Sequence, residues 1–224
     1  ESTATKVLTL ENAGDIQVGS TSSVGIYTEN EANDKEKLVA ENKGLINVTK
    51  DSSVGIYSNK KSTVKNSGLA ADGKGIALLA KKTAGIIGNN ESEVTNTGDI
   101  TLSSTSQPSS SAEGLVGISL DNTSTATNDG TITVNNDYST GISGKGGLIT
   151  NNKEIILNKE NSVGIASTDG SVVNGSATGN KIEVKESNSV GIFAKLTENA
   201  PYPFQGISNK GTITLNGGST KTSS

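Results

Sequence analysis

Seven copies of one short motif in 224 residues set a glycine directly before an isoleucine, in a context that otherwise favours strands. The stretch "SSVGIY" is identical at Ser22–Tyr27 and Ser52–Tyr57, and looser copies read "TAGII", "GLVGIS", "STGIS", "NSVGIA" and "NSVGIF". The glycines are Gly25, Gly55, Gly85, Gly117, Gly141, Gly164 and Gly191, spaced by 23 to 32 residues. Glycine weakens the interior of an isolated strand. Its return at a near-constant interval therefore points to one place in a repeating unit, and internal repeats of this length mean a solenoid, propeller or array.

A second motif precedes each copy: "NAGDIQV", "NKGLINV", "NSGLAAD", "NTGDITL", "NDGTITV", "NNKEIIL" and "NKIEV", with "NKGTITL" closing the series. After its turn it alternates apolar and polar residues, the period of a half-buried strand. The inward pairs are plain at Ile16/Val18, Ile46/Val48, Ile100/Leu102, Ile132/Val134 and Ile213/Leu215. A third short apolar element lies just before each asparagine. Three short strands per repeat and no helical period predict an all-β parallel β-helix of about eight coils. Coils stacked about 4.8 Å apart would make a rod roughly 38 Å long. Residues 1–216 read as solenoid, and 217–224 as a linker or the start of another coil.

Composition fits this thin architecture. Only 31% of residues are hydrophobic and 3% aromatic, too few for an ordinary compact core but enough for a line of inward aliphatics. A single coil could not fold alone, so neighbouring coils must supply the rest, and both ends of the segment are expected to be capped by further coils. Net charge is −4 and the 19 basic residues, all lysine, are interspersed with acids, which argues against nucleic acid. There is no cysteine, hence no disulfide framework or thiolate metal site. No segment approaches a membrane span or a signal peptide.

Asn12, Asn42, Asn66, Asn96, Asn128, Asn151 and Asn209 fall at equivalent turn positions. Their amides are expected to stack into a ladder. Gly14, Gly44, Gly68, Gly98, Gly130 and Gly211 follow two residues later, and a positive φ would explain them. Lys153 breaks that column, and the "GNKIEV" coil lacks the spacing.

The pattern N-x-G-x-I-x-[LV] followed by S-V-G-I-[YF], in a lysine- and asparagine-rich chain without cysteine, resembles the passenger repeats of large autotransporter adhesins of the fusobacterial type. The resemblance spans about Thr5 to Leu215. It implies a right-handed β-helical passenger segment of a type V secreted protein, displayed on the outside of the outer membrane and used in adhesion. Attachment would run through a membrane barrel outside this segment, and the segment itself would be monomeric. Its partner would be a host-cell or bacterial surface protein or glycan. The resemblance carries no ligand residue across, because the shared motif is the scaffold.

Catalysis has little to work with. The absence of histidine, cysteine and arginine removes the commonest bases, thiol nucleophiles and oxyanion clamps. Asp15 and Asp99 share a repeat position but not adjacent coils, while "ENEANDKEK" and "NESE" read as solvated loops. No calcium-binding loop occurs, so no metal or cofactor is expected. A polysaccharide-processing β-helix, a trimeric autotransporter head and a pure spacer are the competing readings.

For binding, Val24 and Ile26 are expected to face inward, leaving Gly25 and Tyr27 outward. Tyr27, Tyr57 and Ile87 would then form an exposed column beside a glycine groove, with Phe193 further along it. Three insertions, Thr28–Lys37, the serine-rich and flexible Ser103–Glu113, and Ala194–Gln205, offer loops. The last carries Pro201, Tyr202, Pro203 and Phe204, exposed aromatics of the kind that anchor interfaces.

Overall fold

The structure is a computed structural model and describes residues 6–31, 36–175, 179–197 and 206–216. Strands three apart in sequence pair in parallel, giving three sheets of eight, eight and seven strands. The chain is thus a right-handed parallel β-helix of about eight three-stranded coils. Pro201, Tyr202, Pro203 and Phe204 lie outside the described residues.

The first sheet collects Lys6–Asn12, Glu36–Asn42, Thr63–Asn66, Glu93–Asn96, Thr125–Asn128, Leu148–Asn151, Ser171–Asn174 and Ile207–Asn209. Each strand ends on an asparagine, and the side chains bond in an unbroken column. Asn12 Nδ2 donates to Asn42 Oδ1 at 2.8 Å, and the same bond repeats through Asn66, Asn96, Asn128, Asn151 and Asn174 to Asn209 at 2.7–2.8 Å. Asn174 is a rung that the motif spacing does not show. The six inner rungs are fully buried, and each amide answers its neighbour, so the column avoids the cost of a buried unpaired polar group.

The second sheet collects Asp15–Val18, Leu45–Val48, Gly75–Leu78, Asp99–Leu102, Thr131–Val134, Glu154–Leu157, Lys181–Val184 and Thr212–Leu215. It supplies the largest share of the core through its inward Ile/Val and Ile/Leu pairs. In the third coil the strand is Gly75–Leu78, not "NSGLAAD": a 3-10 turn at Ala70–Asp72 is inserted first, and the chain rejoins the stack through Gly75 at φ 99°. The two coils that depart from the glycine motif stay in register, with Ile155 beside Ile182.

The turn glycines do not take positive φ, contrary to expectation; none of Gly14, Gly44, Gly68, Gly98, Gly130 or Gly211 is in that region. From the second turn onward they are required for space. A Cβ on Gly44 would overlap the Gly14 carbonyl oxygen, and one on Gly130 would overlap that of Gly98. The turns stack so closely that a methyl group has no room.

The third sheet carries the opening motif in Val24–Glu29, Val54–Asn59, Ala84–Gly88, Val116–Leu120, Thr140–Lys145, Val163–Thr168 and Val190–Lys195. Its phase differs from expectation. Isoleucine is inward, but so is the glycine before it, and the valine is turned out, with Val24 42% exposed. A Cβ on Gly55 would lie 2.6 Å from Gly85 O and 3.3 Å from the core atom Ile76 Cγ2, and Gly85 stands in the same relation to Gly117 and Ile100. Two consecutive inward residues mean that the strand changes phase between them, which strict alternation does not anticipate. The glycine column is a packing seam, not a groove.

Serine in "SVGI" has its own task. Ser53 is buried, its hydroxyl accepting the Ser23 amide at 3.2 Å and donating to Ser20 O at 2.8 Å, and Ser139 and Ser189 accept the Leu115 and Ser162 amides likewise. The turn entering the strand uses left-handed residues that are not glycine: Ser22, Ser52, Lys82, Tyr138, Asn161 and Asn188 have φ of 54–60°.

The insertions are shorter as loops than the sequence suggests. Thr28 and Glu29 extend one strand and Glu36 and Lys37 begin the next; Ala194 and Lys195 also belong to a strand. The serine-rich insertion is fastened to neighbouring coils. Ser104 N donates to Asn136 Oδ1 at 2.7 Å, and Gln107 Oε1 accepts from Asn136 Nδ2 at 3.2 Å and from the Asp137 amide at 3.1 Å. Glu113 accepts from Ser109 N and Oγ at 3.0 and 2.9 Å and from Lys81 at 3.0 Å. A segment with that many fixed partners is a strap across the rod.

Candidate binding face

The position after each inward isoleucine lies in one outward column: Tyr27, Tyr57, Ile87, Ser119, Ser143, Ala166 and Phe193 are register partners in sequence. At its start the Tyr27 and Tyr57 rings stack, centroids 5.6 Å apart and planes inclined by 15°. Tyr27 is 54% exposed, Tyr57 and Ile87 are half-buried beneath it, and Phe193 is 48% exposed. The two tyrosines and Ile87 are therefore contiguous. Phe193 is not part of that patch, being separated from it by Ser119, Ser143 and Ala166, about 19 Å of stacked coils.

The hydroxyl groups are held by side chains one corner further round. Tyr27 Oη donates to Glu29 Oε2 at 2.7 Å, and Asn89 Nδ2 donates to Tyr57 Oη at 3.2 Å. Glu29 pairs with Lys60 at 2.7 Å and accepts from Asn59 at 3.2 Å. The bond to Glu29 raises the Tyr27 pKa above the ordinary phenol value. Lys60 in turn holds the Glu29 carboxyl below the usual carboxylate range, and its own pKa is raised by Glu29 and then Glu31.

From there a second, exposed amide column follows the corner between the third and first sheets. Asn90 Nδ2 donates to Asn59 Oδ1 at 2.8 Å, and Asn122 Nδ2 reaches Asn90 Oδ1 at 3.0 Å and Asn89 Oδ1 at 3.1 Å. The sequence reading did not single out Asn59, Asn89, Asn90 or Asn122. Their signal was a polar turn at a fixed offset before the buried residue of the next strand, in "SNKKSTV", "GNNESEV" and "LDNTSTA".

Two concavities lie on either side of the third sheet. One, of about 300 Å³, opens on the same corner between Asn122 and Lys145. The other, of about 510 Å³, lies beneath the serine-rich strap between Lys50, Leu79 and Ser106. Among the described residues no three acidic side chains gather closely enough to hold a metal ion. Of the acids weighed for catalysis, Asp99 has a structural task, its Oδ2 accepting the Ala70 amide at 2.7 Å, and Asp129 on the next coil accepts from Asn152 at 2.9 Å.

Residues 70–179 match a family model described as the BigA third pectate lyase-like domain. That is the observation bearing most directly on kinship, and it falls on coils three to seven. It agrees with a β-helical solenoid of BigA-like type. No curated protein and no solved structure matches the chain.

Proposed function

We propose that this chain is a surface-displayed adhesin segment, a rigid β-helical scaffold that binds a partner through an outward face and performs no catalysis. The observation that carries the reading is the Tyr27–Tyr57 stack, exposed on a sheet that is hydrogen-bonded coil by coil. Aromatic rings on a rigid element lose little conformational entropy on binding, and their hydroxyls are already oriented by Glu29 and Asn89. The partner is a host-cell or bacterial surface molecule, and the rod works outside the bacterial outer membrane. The similarity of residues 70–179 to BigA's third pectate lyase-like domain supports the scaffold part of this reading.

The words "pectate lyase-like" in that description favour one competitor, a polysaccharide-processing enzyme. It lacks support from the side chains, since Asp99 and Asp129 are engaged with a backbone amide and a neighbouring asparagine and the chain has no histidine or arginine. Fluorescent chain added to a panel of epithelial and bacterial cells decides between scaffold and spacer. The expected result is saturable binding competed by unlabelled chain. Uncompeted or absent binding across the panel contradicts it, as does turnover of any polysaccharide substrate.

A further inference from the structure

The 300 Å³ recess has a cause in the sequence. Between the inward residues Leu120 and Ala126 the turn holds five residues, but between their register partners Gly144 and Ile149 it holds four. The same short turn recurs in the next coil, between Ser167 and Val172. The corner therefore steps inward after the fourth coil. Glycine at 146, at φ 74°, puts no side chain on the floor of the step.

Groups around the recess are short of partners. Asn122 spends its amide nitrogen on Asn89 and Asn90, and among the described residues no group donates to its Oδ1. Asp121 uses Oδ1 on the Asn122 amide at 2.9 Å, and its Oδ2 has no partner among the described residues. Glu91 and Lys145 make no side-chain hydrogen bond or ion pair among the described residues. Asp169, on the far wall, is fixed by the Thr197 amide and hydroxyl at 2.6 and 2.7 Å; these bonds, hydroxyl first, lower its pKa, and Lys145 and Lys195 add to the effect.

We propose that this recess binds one sugar unit of a surface glycan, and that the saccharide chain runs from it along the amide corner toward the tyrosines. Open carboxylate and amide oxygens at Glu91, Asp121 and Asn122 accept from vicinal hydroxyls, and the Lys145 ammonium donates to a hydroxyl or ring oxygen. An anion is disfavoured by two open carboxylates, and a divalent cation by the ammonium in the same wall. A volume of about 300 Å³ is at the small end of ligand sites, as a single ring requires. The path to the tyrosines is continuous, because Asn122 bonds Asn89 and Asn89 bonds the Tyr57 hydroxyl. Two coil steps separate Asn122 from Tyr57, about 10 Å.

This inference rests on the adhesin reading, naming the ligand class for that same face. The test is saturation-transfer NMR of the 224-residue chain with a panel of methyl glycosides and short oligosaccharides, repeated with Asp121→Asn/Lys145→Ala. Both side chains are exposed, and an unchanged thermal midpoint confirms that the variant folds. At least one sugar should saturate with the native chain, and the variant should weaken it about tenfold or more. Three results overturn the proposal: no sugar saturates, the variant binds within twofold of the native chain, or binding is lost in EDTA and restored by calcium. Cell binding that persists in the variant while every sugar fails would discard the sugar and keep the adhesin.

Discussion

A methyl group is the unit in which the two glycine columns are decided. At Gly85 it would meet the Gly117 carbonyl at 2.6 Å, whereas at Gly14, on the first turn, it would meet nothing within 4 Å. Gly85→Ala should therefore lower stability by about 1–3 kcal/mol in urea unfolding, with Gly14→Ala close to neutral as its control. Asn96 sits mid-ladder, donating to Asn128 and accepting from Asn66. Asn96→Ala leaves both neighbours short of a buried partner and should cost about 1–3 kcal/mol per orphaned group, read in the same experiment. The one-letter pattern shows that a glycine is special without showing whether a dihedral angle or a close approach requires it. It also hides the left-handed turn at Ser52, Lys82 and Tyr138, where no glycine marks the place. Gly25 was misread as outward because alternation was carried through a point where the strand changes phase.

Among the elements, the serine-rich strap differs most from its sequence. Nothing in "SSTSQPSSSAE" announces a fixed segment, because its partners Lys81, Asn136 and Asp137 belong to other coils. Glu113 is its fastener, and the Ser109 amide, Lys81 and the Ser109 hydroxyl together draw its pKa down to about 2 from an ordinary 4.5. With a folded pKa below the unfolded one, the contact stabilises fully above the ordinary value and is lost as pH falls toward 2. Thermal unfolding followed by circular dichroism between pH 5 and pH 2 should show a loss that Glu113→Gln largely removes (both values bracket the window between about 4.5 and about 2). A profile identical in the variant would mean that the clasp contributes nothing. The sheet strands themselves were legible wherever an asparagine, a glycine and two alternating aliphatics coincide. The third coil was not, since the inserted 3-10 turn at Ala70–Asp72 displaces its strand to Gly75–Leu78.

For the whole molecule, the repeat period carried the architecture: three strands per coil and three parallel sheets follow from six intervals between seven glycines. The missing rung, Asn174, lay in the coil with the most irregular spacing. The binding corner was harder to see, because Tyr57, Asn89 and Asn122 sit on different coils and at different turns, and only stacking brings them together. The stack should also be unevenly protected. Leu8, Leu10, Ile207 and Leu215 are exposed on the end coils, whereas Ile100, Ile118 and Ile132 are fully buried between neighbours. Amide hydrogen exchange should be slowest in the central coils and fall off toward both ends. The central claim is that this rod binds through its tyrosine face. The direct measurement is a cell-binding isotherm of the native chain against Tyr27→Ala/Tyr57→Ala, at matched thermal midpoints. The account predicts saturable binding by the native chain and at least a tenfold loss in the variant, on the order of 1.4 kcal/mol. Equal binding by the two chains would contradict it.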